Sequence, residues 1–251
     1  MIHNPTMRVL KIFDAVSAHD GLLNMSGICK LTSIPPSTIQ PILQTLCSAQ
    51  YVTLDKERGT YSIGLRFFLS SASFVQSSGH YKSIKSVIQD MATRSGETCH
   101  YCTLDGGNVL YVIKIDSLQP VRMYSAIGRK LPAYGTAIGK ALISELSMNE
   151  IKALYPQGIV PLTENTIKDF DSLYKQLLEI RETGFAYECE ESNLGVRCIA
   201  RPIKREGKII SAVSIGIPVF RYTKEKKEQF EAMLTNAANE IEKLVSCLPV
   251  M

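Results

Sequence analysis

The features of a membrane or exported protein are missing from this sequence. No apolar run approaches the roughly 20 residues of a membrane span, and the first residues lack a charged-then-apolar leader pattern. A cytoplasmic chain is the expectation. Net charge is also low, with 28 Lys and Arg against 24 Asp and Glu giving +4. That tolerates a nucleic-acid partner without arguing for one. Histidine is scarce: the four present (His3, His19, His80 and His100) form no recognisable set of base, nucleophile and orienting group, so an enzyme is the weaker reading. The seven cysteines are an odd number and widely scattered, which speaks for free thiols in a reducing compartment and against a disulfide framework.

Two further motifs fall short. Cys99-His100-Tyr101-Cys102 invites a metal or redox reading, but a zinc site normally needs a second pair at suitable spacing, and none exists. In a strand, Cys99 and Cys102 would also point to opposite faces. Lys140 follows a glycine, yet Gly135 stands one residue short of phosphate-loop spacing and Ala141 replaces the required Ser or Thr. No metal or other cofactor is therefore expected. Internal repeats and low-complexity segments are absent as well.

What is present is an ordinary globular composition, 45% hydrophobic and 21% charged, in 251 residues, enough for one large domain or two modest ones. Residues 7–18 repeat apolar positions at helical spacing. Asn24-Met25-Ser26 is a capping-type start to a short second helix through Leu31. Thr32-Ser33-Ile34-Pro35 reads as a turn, and Pro36 suits the first turn of a third helix that aligns Ile39, Ile42, Leu43 and Leu46. Short strands follow at Tyr51–Leu54 and Thr60–Ile63, joined by the polar turn Asp55-Lys56-Glu57-Arg58-Gly59. Three helices and a hairpin are the order of a winged helix-turn-helix; spacing alone leaves open a small helical subdomain that only packs against the rest.

A linking helix is expected over 65–79, with Phe67, Phe68, Leu69 and Phe74 apolar and a Ser-rich shift at Ser70–Ser78 marking a boundary. A helix at about 82–95 leads into strands at Thr98–Leu104, Val109–Ile115 and Val121–Ile127, the first two joined by the hairpin signal Asp105-Gly106-Gly107-Asn108. Helices at about 136–146, 148–155 and 167–183 follow, then strands Phe185–Glu190, Val196–Lys204 and Lys208–Ile217, and a final helix from Thr223 to Ser246. Strands adjacent in sequence with helices gathered around them indicate an α+β domain with a mostly antiparallel sheet.

Three ordered motifs in the second half carry a resemblance. Leu131-Pro132-Ala133-Tyr134-Gly135-Thr136-Ala137-Ile138-Gly139-Lys140-Ala141-Leu142 resembles the P-A-x-x-T-A-x-G-K-A-L signature of the IclR family of bacterial regulators. Gly184–Glu191, continuing to Gly195–Ala200, is similar to that family's second signature, and Ser211–Pro218 to the strand that follows. The N-terminal half matches in element order and in Pro35, Ser37-Thr38, Tyr51-Val52 and Tyr61–Leu65. The resemblance implies a winged helix-turn-helix at 5–66, a linker helix at 67–80, and a GAF-like effector-binding and oligomerisation domain at 81–250. It also implies a homodimer or homotetramer that binds double-stranded operator DNA under the control of a small carboxylate.

Residue by residue, the resemblance places Pro36, Ser37, Thr38, Gln40 and Gln44 on the recognition helix, and Lys56 and Arg58 on the wing, where they would touch phosphates or the minor groove. Leu131, Ala137 and Ile138 would form one side of the effector pocket, with the backbone N–H groups of Ala137 and Ile138 at a helix start that favours a carboxylate. Glu188, Cys198 and Ser214 would line the opposite strands. The chain departs from the family at Pro41, where an Arg is usual, at Pro36, commonly basic, at Glu188, often Asp, and at Gly216, often Ser. From Leu31 to Asp55 there is no Lys or Arg. Pro41 lacks the N–H that would bond the carbonyl of Ser37, so a distorted or bent recognition helix is expected. The longer acid and the missing hydroxyl favour a polyhydroxylated sugar acid over a two- or three-carbon acid, with keto and aromatic acids as alternatives. A ligand-binding protein with an impaired DNA head is the competing reading, and an enzyme the weaker one.

Overall fold

Asn4–Ala18 forms the first helix, α1, with Pro5 in its first turn and Ile12, Ala15 and Val16 turned inward. This is a computed structural model that describes residues 2–19, 21–77, 79–120 and 130–246, and the side chains of all of these except 72–77. The expected strand Val121–Ile127 lies outside the described residues. The chain divides into two units, residues 1–79 and 80–251.

In the first unit, α2 (Met25–Thr32) starts where the Asn24 side chain accepts a hydrogen bond from the Gly27 amide at 2.9 Å, and stops at Ser33, which turns left-handed at φ 56°. Helix α3 (Pro36–Ser48) opens on its proline, which lacks only an N–H that the first turn would leave unbonded. Ile39, Leu43 and Leu46 of α3 meet Ile12, Val16, Ile28, Ile34 and Val52 in one apolar core. A small sheet joins β1 (Leu23–Asn24), β3 (Thr60–Ile63) and β2 (Val52–Asp55) in that order, antiparallel throughout. The two-residue β1 is too short to leave a periodic signal. Asp55 Oδ1 shapes the turn between β2 and β3 by accepting from the amides of Glu57 at 2.9 Å and Arg58 at 3.1 Å. Helix α4 (Leu65–Ser77) follows, its Phe67 ring edge-on to Phe13 and Tyr51.

The second unit is built on a six-stranded sheet in the order β6 (Lys130–Pro132), β5 (Asn108–Ile115), β4 (Thr98–Asp105), β9 (Lys208–Pro218), β8 (Val196–Arg205), β7 (Ala186–Cys189). Every neighbouring pair is antiparallel. Period-two alternation gives the sheet two different faces. On one, Ile199, Ile203, Val213, Ile215 and Ile217 pack with Cys99 against α5 (Gly79–Ser95) and α9 (Lys224–Ser246). On the other, the strands present small residues, Ala186, Ala200 and Ala212, beside Cys102. That lets α6 (Ala137–Ile143) lie close to the sheet, with α7 (Met148–Leu154) and α8 (Phe170–Thr183) closing the same core. Cys99 and Cys102 thus serve opposite faces. Among the described residues no helix is long and apolar enough to cross a membrane, and no group of three or more His, Cys, Asp and Glu is placed to hold a metal ion.

Candidate functional site

In the first unit, the inward set Ile39, Leu43 and Leu46 fixes the roll of α3 and leaves Ser37, Gln40, Pro41 and Gln44 in one exposed stripe. Pro36 is exposed before them. Thr38 is half-buried, its amide bonded to the Pro35 carbonyl at 3.0 Å. Lys56 and Arg58 are both exposed in the turn between β2 and β3, with Arg58 Nε 3.9 Å from Asp55 Oδ2. The distortion expected at Pro41 does not interrupt the helix, which stays α-helical from Pro36 to Ser48. Its lost partner, the Ser37 carbonyl, belongs to an exposed residue that solvent can satisfy, and Thr45 Oγ1 donates to the Pro41 carbonyl at 2.8 Å.

In the second unit, all six residues assigned to an effector pocket come together. Leu131, Ala137, Ile138, Glu188, Cys198 and Ser214 line one cavity of about 20 Å³. The register explains the strand side: Glu188 pairs with Cys198, Ala200 with Ser214, and Ser214 with His100. The helix side depends on Thr136, which caps α6 by accepting from the Gly139 amide at 3.0 Å. Ala137 and Ile138 are the first two residues of α6, where amides lie outside the helix's own ladder. Gly139 is obligatory here, because a Cβ would collide with the carbonyl oxygen and Cα of Ala133.

Sequence reasoning missed five further lining residues: His100, Tyr111, Thr136, Ser192 and Asn193. His100 was visible only as part of a failed metal motif, since its place opposite Ser214 depends on register. Thr136 sat inside the first signature, and Ser192-Asn193 in the polar gap between the halves of the second.

The site's electrostatics follow from burial. Glu188 is 3% exposed. Its Oε1 accepts from the Ser192 amide at 2.9 Å and hydroxyl at 3.0 Å, whereas Oε2 is buried without a hydrogen-bond partner among the described residues. Burial raises its pKa, against the pull of hydrogen bonds from Ser192 and Cys198 and of the Lys140 charge. Burial also holds His100 down to about 3, with Lys114 pushing the same way, so the ring is neutral at pH 7; its Nδ1 lies 3.3 Å from Ser214 Oγ. The Cys198 thiol is raised well above its ordinary value by burial and by Glu188, which makes it an inert wall. Behind the pocket, the fully buried Lys140 Nζ donates to Glu191 Oε1 at 2.7 Å and to Gln176 Oε1 at 2.8 Å. Thr163 and Thr166 hydroxyls donate to the Glu191 carbonyl at 3.2 and 2.6 Å. The loop that carries Ser192 and Asn193 is therefore tied to α6, to α8 and to the segment between α7 and α8.

A winged helix-turn-helix and a polar pocket on an antiparallel sheet, carried on one chain, define a ligand-responsive DNA-binding regulator. Residues 5–56 match the IclR helix-turn-helix domain, and residues 72–243 match the bacterial transcriptional regulator IclR C-terminal domain. The chain belongs to the IclR family, whose members are transcription regulators and not enzymes. It is 33% identical to the HTH-type transcriptional regulator KdgR of Escherichia coli over 238 residues, covering 93% of this chain and 90% of that protein. The fold matches the IclR transcriptional regulator of Alicyclobacillus acidocaldarius with a TM-score of 0.87 at 19% identity, over 97% of this chain and 99% of that one. It also matches an IclR homologue from Microbacterium hydrocarbonoxydans complexed with 4-hydroxybenzoate, with a TM-score of 0.80 at 17% identity, over 97% and 100% of the two chains.

Proposed function

We propose that this regulator responds to a small hydroxylated carboxylate, a sugar acid by preference, bound between α6 and the strands. One observation carries the reading: a buried carboxylate, Glu188, with an unpartnered oxygen lines a cavity shared with Ser214, Thr136, Ser192, Tyr111 and a neutral His100. Hydroxyl groups of a ligand can donate to Glu188 and exchange bonds with the others, whereas a flat aromatic ring would leave them unmatched. The ligand's own carboxylate belongs at the amides of Ala137 and Ile138, away from Glu188. Metabolite control then places the protein over a catabolic pathway, with Pro36, Ser37, Thr38, Gln40, Gln44, Lys56 and Arg58 on operator DNA.

Self-association is supported by α4, where Leu65 and Phe68 are 67% and 66% exposed and Leu69 lies on the same side; a second copy is the natural cover. Thermal-shift screening against sugar, keto and aromatic acids tests the effector, because a ligand of the native state raises its melting point. A sugar acid that raises it in the wild type and not in Glu188→Ala supports the reading. A response confined to aromatic acids overturns it. The missing Lys and Arg between residues 31 and 55 favour an impaired DNA head as the second reading. Binding to the protein's own promoter region with no preference over random DNA would establish that instead.

A further inference from the structure

The exposed stripe of α3 contains two primary amides and a proline ring, and no cation. Gln40 and Gln44 are one helical turn apart on that stripe, with Pro41 between them in sequence and exposed. Neither amide makes a hydrogen bond among the described residues, so both are available to a partner. Thr45 differs, since its hydroxyl is already committed to the Pro41 carbonyl. Base pairs are distinguished in the major groove by their edges: guanine's O6 and N7 suit Arg or Lys, adenine's N6 and N7 suit the donor–acceptor pair of Gln, and thymine offers a methyl group to apolar contact. Between Leu31 and Asp55 nothing supplies the guanine-reading cation. Four residues of α-helix advance about 6 Å, on the order of two base steps at about 3.4 Å each.

We propose that α3 reads A·T pairs. Gln40 and Gln44 each address an adenine, about two base steps apart in one half-site, and the Pro41 ring packs on a thymine methyl beside them. The inference rests on the DNA-binding role assigned to α3 and adds which bases it selects. Pro41 then has a recognition role: at a place where an arginine would suit guanine, this chain carries an apolar surface suited to thymine.

The test uses the full chain and a random duplex library, with bound sequences recovered and counted. An enriched half-site with two A·T pairs about two steps apart is expected, and replacing either pair by G·C should weaken binding about 5- to 150-fold. Gln40→Ala and Gln44→Ala should each flatten the preference at one of those positions. Replacing the contacted adenine by 7-deazaadenine, which keeps pairing and removes N7, should weaken wild-type binding and leave the matching alanine variant unmoved. Pro41→Arg should admit guanine at a neighbouring position. Circular dichroism melts check that each variant folds. Enriched A·T pairs that ignore both alanine variants and 7-deazaadenine mean that groove shape is being read, and overturn the assignment. Enriched G·C at the α3 positions also overturns it, and leaves the regulator reading intact. No enrichment by the folded wild type removes both.

Discussion

Lys140 has no contact with solvent, and its charge is answered by Glu191 at 2.7 Å and the Gln176 amide oxygen at 2.8 Å. A buried pair of this kind adds little net stability over an apolar replacement, but removing one partner strands the other charge. Lys140→Met should lower the free energy of unfolding by about 3–5 kcal/mol in urea titration, and adding Glu191→Gln should recover much of it. A single-variant loss below about 1 kcal/mol would show that the pair is not desolvated as the structure has it. His100 gives a prediction with a pH sign. Its folded pKa is held at about 3 against an ordinary 6.5, so between those values the unfolded chain binds a proton that the folded chain refuses. Protonation then favours unfolding: the stability is fully present above pH 6.5 and declines as pH falls, by up to about 1.4 kcal/mol per unit. Glu188, with a raised pKa, has the opposite slope and is common to both proteins in a comparison with His100→Asn. Unfolding curves at pH 7, 6 and 5 should diverge between wild type and His100→Asn, the variant losing less. Parallel pH profiles would sink the assignment.

At the level of elements, α4 carries the surface proposed for self-association. Leu65, Phe68 and Leu69 follow i, i+3, i+4 spacing and are all exposed, the pattern an association face would need. Phe68→Asp should shift the protein toward monomer in sedimentation equilibrium while its melting point changes little; an unchanged mass would place the contact elsewhere. The same element shows what could be read from sequence. The run of apolar residues at 65–69 located α4, because such a signal is local, but which phenylalanine is exposed was left to the fold. The hairpin of β4 and β5 was legible in Asp105-Gly106-Gly107-Asn108 for the same reason. The winged hairpin also came out within a residue or two. The pocket was only half legible: Glu188, Cys198 and Ser214 carried motif signals, but His100 meets Ser214 across strands 114 positions apart in sequence. No local pattern encodes that register. Pro41 shows the same dependence on the fold, since α3 runs on through it. The cost of a missing N–H depends on whether the orphaned carbonyl faces solvent, which the fold decides.

On the scale of the whole molecule, the two units have separate apolar cores, one around Ile39 and Leu43, the others on either face of the large sheet. A ligand in the second unit can alter DNA affinity only by binding one state of the protein more tightly than another, and DNA must alter ligand affinity by the same factor. The cavity of about 20 Å³ beside α6 bears on how fast this happens. That space holds roughly one water molecule, far below what the proposed sugar acid would occupy, so on that reading its walls must part before the ligand enters. Opening then sets a ceiling on the response rate: in stopped-flow mixing, the observed rate should level off as ligand concentration rises instead of climbing in proportion. The apparent dissociation constant should exceed the intrinsic one by the reciprocal of the open fraction. A shallow wall substitution such as Leu131→Ala would lift the ceiling. The regulator would then act as a timer as well as a sensor, ignoring pulses of metabolite briefer than its own opening.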